Sequence, residues 1–154
     1  VVFTAKRTKQ THQTLGRVDF LVKKISSEAM FGIGSVWRDR ERVLVSDPHR
    51  TVIDLFTYPQ IGGGLSHCVE ILHHYLRSEH CDLERVIQYL DRMENQIAAK
   101  RLGYLVEQEA PKKRAFIEAC LTRRRKGYSP LDPDVKMGYH VSRWQLIVPE
   151  GGVD

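Results

Sequence analysis

Long apolar runs are missing from this 154-residue sequence: none exceeds a handful of residues, so no membrane-spanning helix of roughly 20 apolar residues is expected. Cysteine is scarce and unpatterned. Cys68, Cys81 and Cys120 are an odd number, with neither zinc-ribbon nor disulfide-framework spacing, which predicts reduced thiols in a cytoplasm. Catalytic signatures are also missing: there is no G-x-S-x-G, no H-E-x-x-H and no G-x-x-x-x-G-K-[ST], and no G-x-G-x-x-G follows a strand. No signal peptide, internal repeat or low-complexity tract is visible. With 42% hydrophobic and 28% charged residues, the chain reads as one globular domain over residues 1–154. It opens on Val1, not Met, as though already inside a protein, and is expected to be a fragment of a longer one.

What is present is charge, unevenly spread. The net charge is +5, yet residues 1–25 carry six Lys or Arg against one acid, and residues 111–127 carry seven against one. The remainder is mildly acidic. Two cationic clusters separated by an acidic stretch are the footprint of a nucleic-acid or acidic-protein partner, or of solvated helix faces and a flexible arm. The candidate phosphate-contacting residues are Lys6, Arg7 and Lys9 in the first cluster, with Lys112, Lys113, Arg114, Arg123, Arg124, Arg125 and Lys126 in the second.

Alternating Val18, Phe20 and Val22 predict a strand in "VDFLVKKI", and "GIGSVW" and "RVLVS" around polar "RDRE" predict a hairpin. After Asp47 the period becomes helical until roughly Arg125. Asp47 is a good N-cap and Pro48 suits the first helical position, so a helix starts there and ends by Tyr58, ahead of Pro59. Leu65, Val69, Leu72 and Leu76 stripe a second helix. Asp82 caps a third, burying Leu83, Val86, Ile87 and Leu90. A fourth runs from about Glu94 to Gln108 with Ile97, Ala98, Leu102, Leu105 and Val106 inward, and Pro111 opens a fifth, amphipathic and basic. A turn-rich stretch precedes "RWQLIV", read as a last strand added to the N-terminal sheet. The expected fold is α/β (α+β): a small mixed sheet from the N-terminal strands and a C-terminal strand, packed with about five helices.

Three constellations invite chemistry. "PQIGGGLSH" could cradle a phosphate, but a helix precedes it, so it reads as a helix-to-helix turn that uses glycine's freedom at positive φ. His67, Glu70 and His74 share one face of the second helix at workable zinc spacing, although a solvated polar face explains them as well. "DPDVK" holds a D-x-K triplet at Asp134 and Lys136 that resembles part of a nuclease site, a pattern common by chance in charged loops. Asp54, alone on a helix, reads as a salt-bridging or capping carboxylate. Gly103 sits mid-helix at a cost of about 1 kcal/mol against alanine, which predicts close packing or a kink there. No catalytic residue, metal ligand or cofactor is assigned. The alternative from another class is a metal-dependent nuclease or hydrolase.

Taken in order, "FGIGSVW", "VLVSDPHRTVIDLFTYPQIGGG", "RLGYLVEQ", "PLDP" and "RWQLIV" resemble the C-terminal domain of the AbiEi-type antitoxins, the transcriptional-regulator half of abortive-infection type IV toxin–antitoxin systems. The match falls on Ser46, Asp47, Pro48, Arg50, Thr51, Asp54, Leu55, Pro59, Gly62, Gly63, Arg101 and Gly103. This chain has Pro149 where family members usually close with Asn. The resemblance implies an antitoxin that represses its own operon and neutralises a nucleotidyltransferase-like toxin without necessarily binding it stably. It implies DNA contacts made chiefly by a winged helix upstream of residue 1. A DNA-binding regulator without a toxin would share the same charges.

Overall fold

The change of apolar period at Asp47 is also where the fold divides. The computed structural model describes residues 1–8, 11–15, 17–135 and 137–151, and the chain forms two compact units, Val1–Val45 and Ser46–Asp154. Lys9 and Lys136 lie outside the described residues. The expected domain of residues 1–154 is thus built from two compact parts.

In the first unit, β1 (Val2–Thr4), β2 (His12–Leu15) and β3 (Val18–Lys24) form a sheet in the order β1-β3-β2. β1 runs parallel to β3 with Val2 opposite Val22, and β2 runs antiparallel with Leu15 opposite Val18. The alternation in "VDFLVKKI" located β3, whereas β1 and β2 carry no such pattern and were not anticipated. β4 (Ile33–Arg38) and β5 (Glu41–Ser46) are the expected hairpin, turned at Asp39 with φ 53°, a left-handed conformation that Asp tolerates. Every residue of β4 is exposed, as are all of β5 but Ser46. Val22 and Phe31 are the only buried residues of this unit among those described.

The second unit holds α1 (Pro48–Thr57), α2 (Leu65–Arg77), α3 (Leu83–Met93), α4 (Gln96–Glu109) and α5 (Arg114–Thr122). The Asp47 carboxylate accepts from the Arg50 backbone N–H and that of Asp82 from Arg85, so both predicted caps are in place. Gly63 and Gly64 turn the chain into α2 at φ 93° and 94°, confirming the helix-to-helix turn. α4 begins later than Glu94 because Glu94, left-handed at φ 49°, closes α3, and the Asn95 side chain caps α4 by accepting from the Ala98 N–H. That start leaves Ile97 46% exposed, not inward, while Ala98, Leu102, Leu105 and Val106 are buried as expected.

β6 (Ser129–Pro130), β7 (Tyr139–Val141) and β8 (Leu146–Val148) make a third sheet, β8 lying parallel to β6 and antiparallel to β7. The class is α+β, with five helices among the described residues, as the sequence predicted. The C-terminal strand does not join the N-terminal strands, however. It pairs with β7 across the short turn 142–145 and with β6 across the segment 131–145, closures that cost less entropy than reaching back to the N-terminal strands. Apolar residues of this unit, including fully buried Ile53, Phe56, Val86, Leu131, Trp144 and Val148, form one continuous core.

The core explains several residues of the family resemblance. Gly103 faces the indole of Trp144: a Cβ there would overlap the ring and come within 2.7 Å of Cys120 Cβ. Close packing, not a kink, is why glycine stands in mid-helix. The indole Nε1 donates to Glu107 at 2.5 Å, satisfying the polar edge of a buried ring. Arg101, 4% exposed, donates from Nη1 to the Phe56 carbonyl (2.8 Å) and from Nη2 to the Pro130 carbonyl (2.9 Å), tying the end of α1 to β6. Buried Arg50 pairs with Asp54 at 2.9 Å, so Asp54 is a salt-bridging carboxylate. Asp47 Oδ2 also accepts from the Tyr89 hydroxyl at 2.8 Å, locking the start of α1 to α3.

Candidate nucleic-acid interface

Charge follows the division into units. Residues 1–45 carry nine Lys or Arg against four Asp or Glu, and residues 46–154 carry fifteen of each. The first unit therefore accounts for the whole net charge. Lys6 and Arg7 are exposed just after β1, where the Lys6 N–H donates to Thr4 Oγ1 at 3.1 Å. The hairpin adds three cations that the cluster count missed. Arg38, Arg40 and Arg42 stand at its tip, all exposed, next to Trp37 at 71% exposure. Their signal was the alternation within "RDRER", diluted in composition by Asp39 and Glu41.

The cations flanking α5 separate into committed and uncommitted groups. Arg123 forks onto Asp91, Nε and Nη2 lying 2.5 and 2.7 Å from its two carboxylate oxygens, and donates from Nη1 to the Ala119 carbonyl. Arg124 donates to the Arg143 carbonyl. Arg143 in turn spans Glu107 (2.9 Å) and Glu118 (3.2 Å). Two of the four predicted cations after α5 thus hold the fold together. Arg125 and Lys126 are exposed and line a cleft of about 460 Å³ with Lys100 and the start of α4. Ahead of α5, exposed Lys112, Lys113 and Arg114 line a groove of about 720 Å³ opposite Cys81, Asp82 and Leu83 of the α3 entrance. The two cationic groups flank opposite ends of one helix.

Lys100 also escaped the sequence reading, because it sits within the apolar run "IAAKRLGYLV" beside Arg101. It is 2% exposed, and its ammonium donates to the Gly127 carbonyl at 2.6 Å. Burial, and after it the charge of Arg124, lowers its pKa from the ordinary amine value. Arg101, pulled down to about 10 by burial, stays charged at neutral pH.

The other candidates carry less. His67 Nδ1 lies 3.6 Å from Glu70 Oε2 on an exposed face, and among the described residues no three His, Cys, Asp or Glu side chains are grouped to hold a metal ion. In the "DPDVK" loop the Asp132 carboxylate accepts from the Asp134 N–H at 2.9 Å, a local turn bond. The three cysteines are free thiols. Burial pushes Cys68 up to about 11 and Cys120 up to about 12, so neither is a thiolate at neutral pH. Among the described residues no helix is long and apolar enough to cross a membrane. Comparisons with protein-family models, with curated proteins and with solved structures find no match for this chain.

Proposed function

We propose that the chain is the antitoxin domain of a type IV toxin–antitoxin system, cytoplasmic and regulatory rather than catalytic. It neutralises a nucleotidyltransferase-like toxin and supports transcriptional autorepression by an upstream winged helix. The observation that carries the reading is the order of motifs from "FGIGSVW" to "RWQLIV". Its physical support is that Asp47, Arg50, Asp54, Arg101 and Gly103 each have a distinct job in holding the second unit together. A signature made of such residues follows a fold, and the fold is what a shared domain preserves.

In this reading the first unit, with its surplus of five positive charges, extends the winged helix's footprint along the DNA backbone through Lys6, Arg7 and Lys9 and the hairpin arginines. Such contacts position without reading sequence and weaken steeply with salt. Co-expression with the neighbouring nucleotidyltransferase tests the neutralising half: the chain should restore growth, and failure to do so overturns it. For the DNA half, the chain alone should bind duplex weakly and lose that binding between low and moderate salt. Sequence-selective, salt-insensitive binding would overturn that half.

A further inference from the structure

The cleft between the α3–α4 junction and the segment after α5 has a composition that the domain's fold does not require. Lys100 lines it from within, Arg125 and Lys126 line it from the surface, and Ile97, Ser129 and Glu94 form part of its wall. Three cations face one carboxylate. An ammonium has three N–H donors. Lys100 uses one on the Gly127 carbonyl, and among the described residues no carboxylate lies within ion-pair distance of it. A nearly buried ammonium with a single neutral acceptor bears a desolvation cost that such groups usually offset with an anion. Arg125 and Lys126 are also without a salt bridge among the described residues, unlike their neighbour Arg123. The positive side of the cleft is therefore unspent.

We propose that this cleft binds a phosphate group carried on a nucleoside: Lys100, steadied by the Gly127 carbonyl, fixes one side of the site, and Arg125 and Lys126 close over the phosphate oxygens. A guanidinium and two ammonium groups suit a multiply charged tetrahedral anion better than a single carboxylate. The volume, about 460 Å³, falls in the range of small-molecule sites and leaves room beyond the phosphate for a sugar. Ile97, half-exposed at the wall, offers that sugar an apolar contact. The lowered Lys100 pKa agrees with a site whose counter-charge comes from a ligand. The phosphate could belong to a free nucleotide or to a nucleic-acid backbone; both present the same chemistry. The proposal shares Arg125 and Lys126 with the DNA reading but does not depend on a toxin.

The test is amide NMR of the full chain titrated with inorganic phosphate, adenosine monophosphate, adenosine, and an unphosphorylated DNA strand, each against chloride at matched ionic strength. Phosphate and the monophosphate should shift Ile97, Gly127 and Ser129 saturably, and adenosine should not. If the DNA strand shifts the same amides, the source is a backbone phosphate; if the monophosphate shifts them and the DNA strand does not, it is a free nucleotide. Arg125→Ala with Lys126→Ala, both exposed, should keep the spectrum intact and weaken binding roughly tenfold, the loss expected for charge-assisted hydrogen bonds. Lys100→Met should abolish binding, and if it fails to fold the surface pair still decides. Shifts that do not saturate, that match chloride, or that persist undiminished in the surface pair would overturn the proposal. Salt-sensitive DNA binding that survives the surface pair would leave the charged first unit as its source and the cleft without a role in it.

Discussion

The two units divide the work of the molecule between them. Residues 46–154 hold the continuous apolar core and carry no net charge, whereas residues 1–45 bury only Val22 and Phe31 among their described residues and carry all the excess charge. The two tryptophans state the contrast: Trp144 is fully buried and Trp37 is 71% exposed. In the unit that spends its apolar residues inward, Arg50, Arg123 and Arg143 find carboxylates, and the cations left over gather at the two ends of α5. In the unit with little core, Lys6, Arg7, Arg38, Arg40 and Arg42 stand exposed where a partner can meet them. Stability and electrostatic reach are properties of different stretches of one chain.

Substitutions at matched positions would break or sharpen this contrast. In a Trp37→Phe background, Trp144 is the only tryptophan and its fluorescence in urea reports on the second unit. The largest effect is expected for Gly103→Leu, where the side chain cannot share space with Trp144: more than about 3 kcal/mol, enough to leave little folded protein. Its partner, Gly34→Ala on exposed β4 with open space at the Cβ, should change stability by no more than about 0.5 kcal/mol, followed by circular dichroism in urea. A comparable loss at both would erase the distinction.

Trp144→Ala should cost about 3–5 kcal/mol, followed by circular dichroism, and Trp37→Ala almost nothing. Arg101→Met comes next, at about 1–3 kcal/mol, because the carbonyls of Phe56 and Pro130 lose their guanidinium donor. Removing Arg42 from the hairpin should leave stability unchanged while reducing the salt slope of DNA binding.

Within the second unit, the smallest effect should come from the Asp91–Arg123 pair, which is part-exposed. Its removal should cost on the order of 0.5 kcal/mol and less at high salt. The hydrogen bond from Arg123 holds the Asp91 carboxyl below its ordinary value of 3.8. A carboxyl depressed by folding contributes stability above its unfolded value and loses it as pH falls through the folded one. Wild type and Asp91→Asn should therefore differ above about pH 4 and converge in more acid solution, measured by urea titration across pH.

Much of the second unit was legible because its signals are local. Asp47, Pro48, Asp82 and the glycines before Leu65 announce helix ends within four residues, and the structure places helices there. Strand partners are another matter. "RWQLIV" reads as a strand, but nothing in it says whether it pairs with Val18–Lys24 or with Ser129–Pro130, since pairing is decided by chain entropy and by what each face must cover. The cations show the same limit. Seven were visible as clusters around α5, yet what engages Arg123 and Arg124 are Asp91 and the Arg143 carbonyl, 32 and 19 residues away. Lys100 reads as one polar residue in an apolar face, and only the fold shows that its ammonium donates to the Gly127 carbonyl.

The seating of Trp144 against Gly103 has a consequence for synthesis. Helices α1 to α5 are complete by residue 122, but the surface that α4 offers around Gly103 stays uncovered until the indole 41 residues later arrives to fill it. On a ribosome adding about 5–20 residues each second, that surface waits several seconds, exposed to chaperones and proteases. A product that stops short of Trp144 would carry all five helices and still present an open core, so quality control would meet it as an unfinished protein.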